Sequence, residues 1–227
     1  MGKNLLFYLL VGILFLALLI VPFSLSEYGT YIVTEILIMA LFATSLNLLL
    51  GFTGLLSFGQ AGYFAAGAYG TGILLKSAAF SSLLVPITVG TLMGLFLAAV
   101  IGALCVRLTE FYFALLTLAF SQMIWGVIFT WRSLTGGDDG ITGIKVDSIH
   151  LVFASVPFTT ISFYYLTLVI VCVSLYILWR ITESPLGYMF KSIRDNATRA
   201  QNVGIPIYRF RWVSFSIAGL FSGLAGS

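Results

Sequence analysis

Residue types that carry covalent or metal chemistry are sparse in this chain and do not gather. His150 is the single histidine and has no ligand partners around it, which argues against a metal centre. Cys105 and Cys172 lie in separate apolar runs and read as inert buried thiols, not a redox pair. Asp138 and Asp139 precede Gly140 in LTGGDDGITG, but the alternating acids and distal Glu of a calcium loop are missing. A glycine-rich turn is the better reading there. No GxxxxGK[ST] phosphate loop is present, so the chain cannot hydrolyse ATP by that route. Glu35 is the one carboxylate inside an apolar run. At mid-membrane it would cost about 2.5–3.5 kcal/mol, but it lies near one end of its run and reads as interfacial. No catalytic residue, metal or cofactor is therefore expected. What remains is the chemistry of binding and packing: amides, hydroxyls, glycines and one long polar segment.

That segment is Thr182 to Arg211, TESPLGYMFKSIRDNATRAQNVGIPIYRFR. With Arg180 it holds six of the eleven basic residues: Arg180, Lys191, Arg194, Arg199, Arg209 and Arg211. Ser184 is a candidate helix cap, and Pro185 suits the first helical position, where its missing N–H is unpaired anyway. Gly204 can end the helix in a left-handed turn, and Pro206 blocks continuation. One helix from about Pro185 to Val203 is predicted. Leu186, Met189, Phe190, Ile193, Ala197 and Ala200 recur on it at helical spacing. Such an apolar stripe needs a partner, which could be a protein groove or a lipid surface.

The elements that must hold these groups are set by composition. Of 227 residues, 60% are hydrophobic and 8% charged, and the mean hydropathy is +1.08. Soluble domains run about 25% charged, so this is an integral membrane protein. Its apolar runs are continuous rather than alternating, so the spans are helices and the fold is all-α and polytopic. About seven hydrophobic helical segments are expected: Leu5–Phe23, Thr30–Leu50, the glycine-rich stretch 51–72, Leu83–Val106, Phe111–Thr130, Ile161–Trp179 and Trp212–Ser227. The first is read as a retained helix rather than a cleaved signal peptide. The last, 16 residues, reaches only roughly 24 Å, short of a roughly 30 Å core. The chain, one transmembrane domain over 1–227 with a loop at 182–211, is thus expected to be a C-terminally truncated fragment.

Residues 51–72 hold seven glycines: 51, 54, 59, 62, 67, 70 and 72. Gly62, Ala66 and Gly70 share one face. A broken or closely packed helix is expected, with Ser57 and Gln60 as polar groups inside it; such elements often line transport paths, and plain packing explains the glycines equally well. Asn47 stands just before it. Gly90, Gly94, Ala98 and Gly102 form a second small-residue seam, and Gly219 and Gly223 a GxxxG pair. Ser121 and Gln122 fit either a cavity wall or interhelical hydrogen bonds.

If the ends alternate across seven spans, one side receives Lys3, Arg107, Arg180, Lys191, Arg194, Arg199, Arg209 and Arg211; the other receives Lys76, Arg132 and Lys145. Eight against three makes the first side cytoplasmic, with the N-terminus and 182–211 on it. Asn196-Ala197-Thr198 is then no glycosylation site. A net charge of only +3 implies no nucleic-acid partner.

Three stretches together carry a family resemblance. SLNLLLGFTGLLSFGQAGYFAAGAY at 45–69 resembles the signature of branched-chain amino acid ABC transporter permeases of the LivM type. So do FYFALLTLAF at 111–120 with TGGDDGI at 135–141, and SPLGYMFKSIRDNATRAQNVGIPIYRFRWVSFSIAGLFSGLAG at 184–226. The resemblance covers most of 30–227. It implies a non-enzymatic permease subunit of a prokaryotic inner-membrane importer, working with two ATPase subunits, a sister permease and a periplasmic substrate-binding protein. It also implies that the loop around Ala200 to Gly204 is the ATPase-coupling segment; Ser184, Gly187 and Arg194 of 182–211 are expected to belong to it, with Ala200 and Gly204 the first choices for ATPase contact. A translocation path or helix-packing role is expected for Asn47, Gly51, Gly54, Ser57, Gly59, Gln60, Gly67 and Gln122. Family members can carry a charged residue near Gln122, which leaves ligand polarity at that position open. Urea or short-chain amides are the alternative substrates. From other classes, an ion-driven transporter would need paired intramembrane carboxylates, and a membrane enzyme a His, Asp or Cys constellation; neither is visible.

Overall fold

The computed structural model describes residues 2–77, 83–108, 110–143, 148–151, 154–157 and 159–227. Lys145, counted in the charge balance above, lies outside them. The chain is a bundle of helices: α1 (Gly2–Ser24), α2 (Glu27–Asn47), α3 (Gln60–Lys76), α4 (Leu84–Cys105), α5 (Glu110–Thr130), α6 (Arg132–Thr135), α7 (Thr160–Thr182), α8 (Pro185–Asp195), α9 (Ala197–Asn202) and α10 (Ile207–Gly226). Among the described residues, four helical stretches are long and apolar enough to cross a membrane: Glu27–Thr53, Leu84–Cys105, Phe111–Thr130 and Thr160–Thr182. The other three expected segments are also helical, as α1, α3 and α10. The described apolar stretch of α1, Phe15–Ser24, and α3 are shorter. α10 begins earlier than expected, at Ile207, because Arg209 and Arg211 fall in its first turns. Its 20 residues give about 30 Å.

The connection after α5 is more ordered than a plain loop. It contains α6, a 3₁₀ turn (Gly137–Asp139) and an antiparallel ribbon of β1 (Ser148–Leu151) and β2 (Ala154–Pro157), in which Ser148 pairs with Pro157. The all-α expectation needs that small correction.

The least apolar long helix is the most central one. α10 packs on α4, α3 and α2, and it buries Ser214, Ser216, Ser222, Gly219 and Gly223. Large apolar side chains such as Phe96, Phe111 and Leu104 point outward. Lipid is as apolar as leucine, so burying leucine gains little there. Close backbone packing between small residues holds such a bundle together instead. The seam read from sequence is the contact: Gly90, Gly94, Ala98 and Gly102 are all buried, facing α3 and α10. A Cβ on Gly67 would collide with the backbone of Gly223, and one on Gly219 with the methyl of Ala98. Trp212 Nε1 donates to the Ala99 carbonyl at 2.8 Å. At the periphery, the hydroxyls of Tyr164 and Tyr165 on α7 donate to the Leu18 and Leu19 carbonyls of α1, at 2.6 and 2.9 Å.

Candidate functional site

The expected interruption between α2 and α3 is present. α2 runs into a π-helical turn, Leu48–Thr53, which ends at Gly54 with φ +74°. Only a residue without a Cβ takes that left-handed conformation freely. Residues 54–59 are then irregular until α3 starts at Gln60. The break lies within the bundle, because Phe58 N–H donates to Thr117 Oγ1, seven residues and about 10 Å into α5.

Irregular backbone away from water must find partners inside the protein. Serines and threonines from neighbouring helices supply them. Thr53 and Ser214 hydroxyls bond at 2.6 Å. Gly59 N–H donates to Ser57 Oγ at 3.2 Å, and Ser222 Oγ donates to the Gln60 carbonyl at 3.0 Å. Gly59 is buried, and a Cβ there would lie 3.0 Å from the Thr117 carbonyl oxygen, a contact that α5 would have to shift slightly to accept. Gln60 is only 3% exposed, yet among the described residues neither atom of its side-chain amide has a partner, nor does the buried Tyr63 hydroxyl on the same helix. Two unpaired amide atoms in a packed interior oppose stability, so Gln60 is not explained by packing.

On the far side of α3 a cavity of about 610 Å³ opens between α3 and α5. Ala61, Gly62, Ala65 and Tyr69 form one wall. Ser121, Gln122, Trp125, Ile128 and Phe129 form the other, and Gly137 and Asp138 reach its mouth. Of the two readings left open for Ser121 and Gln122, the cavity wall is the one observed. No other side chain bonds them among the described residues.

The polar segment 182–211 folds differently from expectation. Instead of one helix it forms α8 and α9, divided at Asn196, which is extended (φ −162°, ψ 99°). The Asn196 side-chain oxygen accepts from Arg199 N–H at 2.8 Å, which starts α9 with a proper cap and ends α8. Pro185 is at the first position of α8 as expected, but Ser184 does not cap it. Its hydroxyl donates back to the Ile181 carbonyl at 2.6 Å. Gly204 closes α9 with φ +90°. Ile205 N–H bonds the Ala200 carbonyl and Gly204 N–H the Gln201 carbonyl, the paired bonds of a Schellman turn.

The apolar stripe of α8 finds its partner within the chain. Phe190 and Ile193 are buried, and Phe190 meets Phe210 edge-on at 6.4 Å. Gly187 is buried where a side chain would strike the Thr182 carbonyl, so it allows the tight α7–α8 corner. Ala200 is buried too, whereas Leu186, Tyr188, Val203 and Gly204 face outward. Arg194 reaches from α8 to the break: its Nη1 donates to the Gly51 carbonyl, and its Cγ lies over Gly54. Asp195 holds the other edge of the guanidinium, at 3.1 and 3.3 Å. Lys191 lies 5.4 Å above the Phe52 ring and 3.7 Å from Glu183. Asn47 stands beside Gly51 one turn earlier, its side-chain oxygen filling the space a Cβ would need.

The structure therefore brings Gly51, Gly54 and Arg194 together, and it gathers Ser57, Gly59 and Gln60 at the break. Gly67 belongs to the helix junction and Gln122 to the cavity. Sequence reasoning missed Thr117, Ser214 and Ser222, which support the break. The serines lie eight residues apart on one face of an apolar run, a spacing that marks them as interior polar groups. Among the described residues no cluster of potential metal ligands occurs.

No solved structure matches the chain significantly. Two curated relatives do. Both are high-affinity branched-chain amino acid transport system permease proteins LivM, from Escherichia coli (strain K12) and Salmonella typhimurium (strain LT2). They are 27% and 26% identical over 226 aligned residues, covering 91% of this chain. The chain spans about half, 53%, of the length of each. Residues 28–227 match the family model described as branched-chain amino acid transport system / permease component, and the chain belongs to that family.

Proposed function

We propose that this chain is a permease subunit of an ATP-binding-cassette importer that moves branched-chain amino acids across a prokaryotic inner membrane. Counted over seven spans, the positive-inside rule supports the N-terminus and α8–α9 lying on the cytoplasmic side, which receives eight of the eleven basic residues. Two ATPase subunits, a sister permease and a periplasmic binding protein complete the assembly. One observation carries the reading: Arg194, on the segment proposed to meet the ATPase, is bonded to the broken intramembrane segment at Gly51. ATPase movement at α8–α9 thereby reaches the interruption before α3, which forms one wall of the cavity. The outward residues Leu186, Tyr188, Val203 and Gly204 are the surface left for the ATPase, with Ala200 acting behind them. The translocation path runs along the break and the α3–α5 cavity.

The test is reconstitution of the full-length protein with its partners in proteoliposomes. Leucine uptake should require ATP and the binding protein. Uptake that ignores ATP and follows an ion gradient would overturn the class. ATP-driven uptake of urea or a short amide, with none of leucine, would overturn the substrate.

A further inference from the structure

The mechanism above makes no use of the membrane-embedded part of α7, one face of which has no helix against it among the described residues. α7 and α10 both pack on α2 but scarcely on each other, so a cleft runs between them. Two cavities make up the cleft. One of about 200 Å³ lies along residues 163–171 of α7, with α2 and the end of α10 behind it. The other, of about 510 Å³, continues along residues 169–181 against residues 217–224 of α10. They share Ile170 and Leu224. From 163 to 181 the cleft follows α7 for about 27 Å, nearly the whole of a roughly 30 Å hydrocarbon core. Val169 and Val173 stand at its rim, more than half exposed, and the buried Phe221 lies on its floor.

The α7 wall of the cleft is apolar except at two points. Thr167 and Ser174 are 7% and 3% exposed and both line the cleft. They lie seven residues apart on one face of α7, about 10 Å along its axis. Neither hydroxyl has a hydrogen-bond partner among the described residues. Buried hydroxyls elsewhere in the bundle are bonded: Thr34, Ser45, Thr71 and Ser222 each donate to a carbonyl, and Ser214 bonds Thr53. The acyl chain of a lipid offers a hydroxyl nothing. A helix does, because its carbonyl oxygens keep a second lone pair and polar side chains bond across membrane helices. Two buried hydroxyls left over in one cleft therefore point to protein as its occupant. Length points to the source. The chain spans 53% of each curated relative, so nearly half of such a permease lies outside the aligned residues.

We propose that the cleft between α7 and α10 is the seat of a further membrane-spanning helix of the same polypeptide. That helix is apolar and turns a stripe of small residues toward the cleft, so that its backbone comes close. It sets one oxygen, from a backbone carbonyl or a polar side chain, against Thr167 and another against Ser174 two turns away. α10, already backed by α2, α3 and α4, is then enclosed on its remaining side. The seat exists whatever solute is carried and however transport is driven.

The experiment uses the full-length protein, assembled with its partners in native membranes. The photoreactive amino acid p-benzoylphenylalanine replaces Val173 on one wall of the cleft or Leu220 on the other. After irradiation the crosslinked peptides are identified by mass spectrometry. The expected adduct joins these positions to a peptide of the same polypeptide outside residues 1–227, with the protein still running as a monomer on a denaturing gel. Removing both donors in Thr167→Val/Ser174→Ala should lower the yield of that adduct about twofold or more. An adduct with a second protein would assign the cleft to the sister permease, and one of phospholipid mass would assign it to lipid. Either result overturns the proposal, as do adducts confined to residues 1–227 or no adduct at both positions. An unchanged yield in Thr167→Val/Ser174→Ala overturns the part given to the two hydroxyls. Transport is not measured, so failure here leaves the importer reading intact.

Discussion

A methyl group placed at two glycines of the α3–α4–α10 junction should have opposite prospects of repair. At Gly67 the obstacle to a Cβ is backbone: the carbonyl oxygen, carbonyl carbon and α-carbon of Gly223. At Gly219 it is a single side-chain atom, the methyl of Ala98, and the next atoms are the Gly94 carbonyl oxygen at 3.4 Å and the Ala98 α-carbon at 3.5 Å. Gly67→Ala must therefore push two helices apart, and overpacking of this kind costs about 1–3 kcal/mol, with the upper half expected where backbone cannot yield. Gly219→Ala should cost a similar amount alone, and the double variant Gly219→Ala/Ala98→Gly should recover it. The exchange removes the obstructing methyl and moves one glycine between helices, so the helix-propensity change of about 1 kcal/mol cancels. Gly126, with nothing within 4 Å, is the control, and Gly126→Ala should be neutral or slightly stabilising. The assay is the apparent melting temperature of purified protein in detergent. At about 2–4 °C per kcal/mol for a chain this size, Gly67→Ala should fall by roughly 4–12 °C. The reasoning fails if Gly67→Ala melts with wild type, if Gly126→Ala falls as far, or if the exchanged pair is no better than Gly219→Ala alone.

Arg194→Ala removes a charge-assisted hydrogen bond that is partly open to solvent and worth about 1 kcal/mol or less. In the reconstituted transporter, leucine moved per ATP hydrolysed should drop several-fold while basal ATPase activity stays; equal loss of both would mean simple misfolding. Asn196→Ala takes away the cap of α9 at about 1 kcal/mol, and amide exchange should rise at residues 197–204 but not along α8. Gln60→Leu replaces a buried amide lacking partners. Its melting temperature should hold or rise, by about 1–2 kcal/mol of relieved desolvation, while transport declines if the amide serves the path. A clear fall in melting temperature would show instead that Gln60 has structural partners.

Most of the scaffold was legible in the sequence because lipid restricts what backbone can do. Helix limits follow from apolar run length, and the Gly90–Gly102 seam follows from four-residue spacing of small residues. The interruption before α3 could be anticipated from the glycines at 51, 54 and 59. What escaped depends on contacts between distant segments or on one residue's choice of conformation. Asn196 fits a continuous helical pattern until its side chain captures the Arg199 N–H and starts a new helix. The stripe of α8 looked unpartnered because the elements that α8 packs on, the Leu48–Thr53 turn and α10 with its Phe210, lie outside its own segment of sequence. Asp138 looked like turn chemistry because nothing local reveals that the Thr135 hydroxyl, bonded to the Ile128 carbonyl, fastens its loop over α5.

The contact between α3, α4 and α10 has a mechanical consequence. Side chains between helices act as springs, since rotamers can yield. Where the Gly67 and Gly223 backbones touch, no spring intervenes. α10 begins directly after Pro206, four residues past the end of α9, and Ser227, just beyond its last turn, meets Thr91 across a 3.5 Å hydroxyl contact. A rotation of α10 along its roughly 30 Å is therefore shared by α3 and α4, because backbone contact leaves no rotamer between them to absorb it. Compliance is left to residues 54–59, the one irregular stretch between α2 and α3.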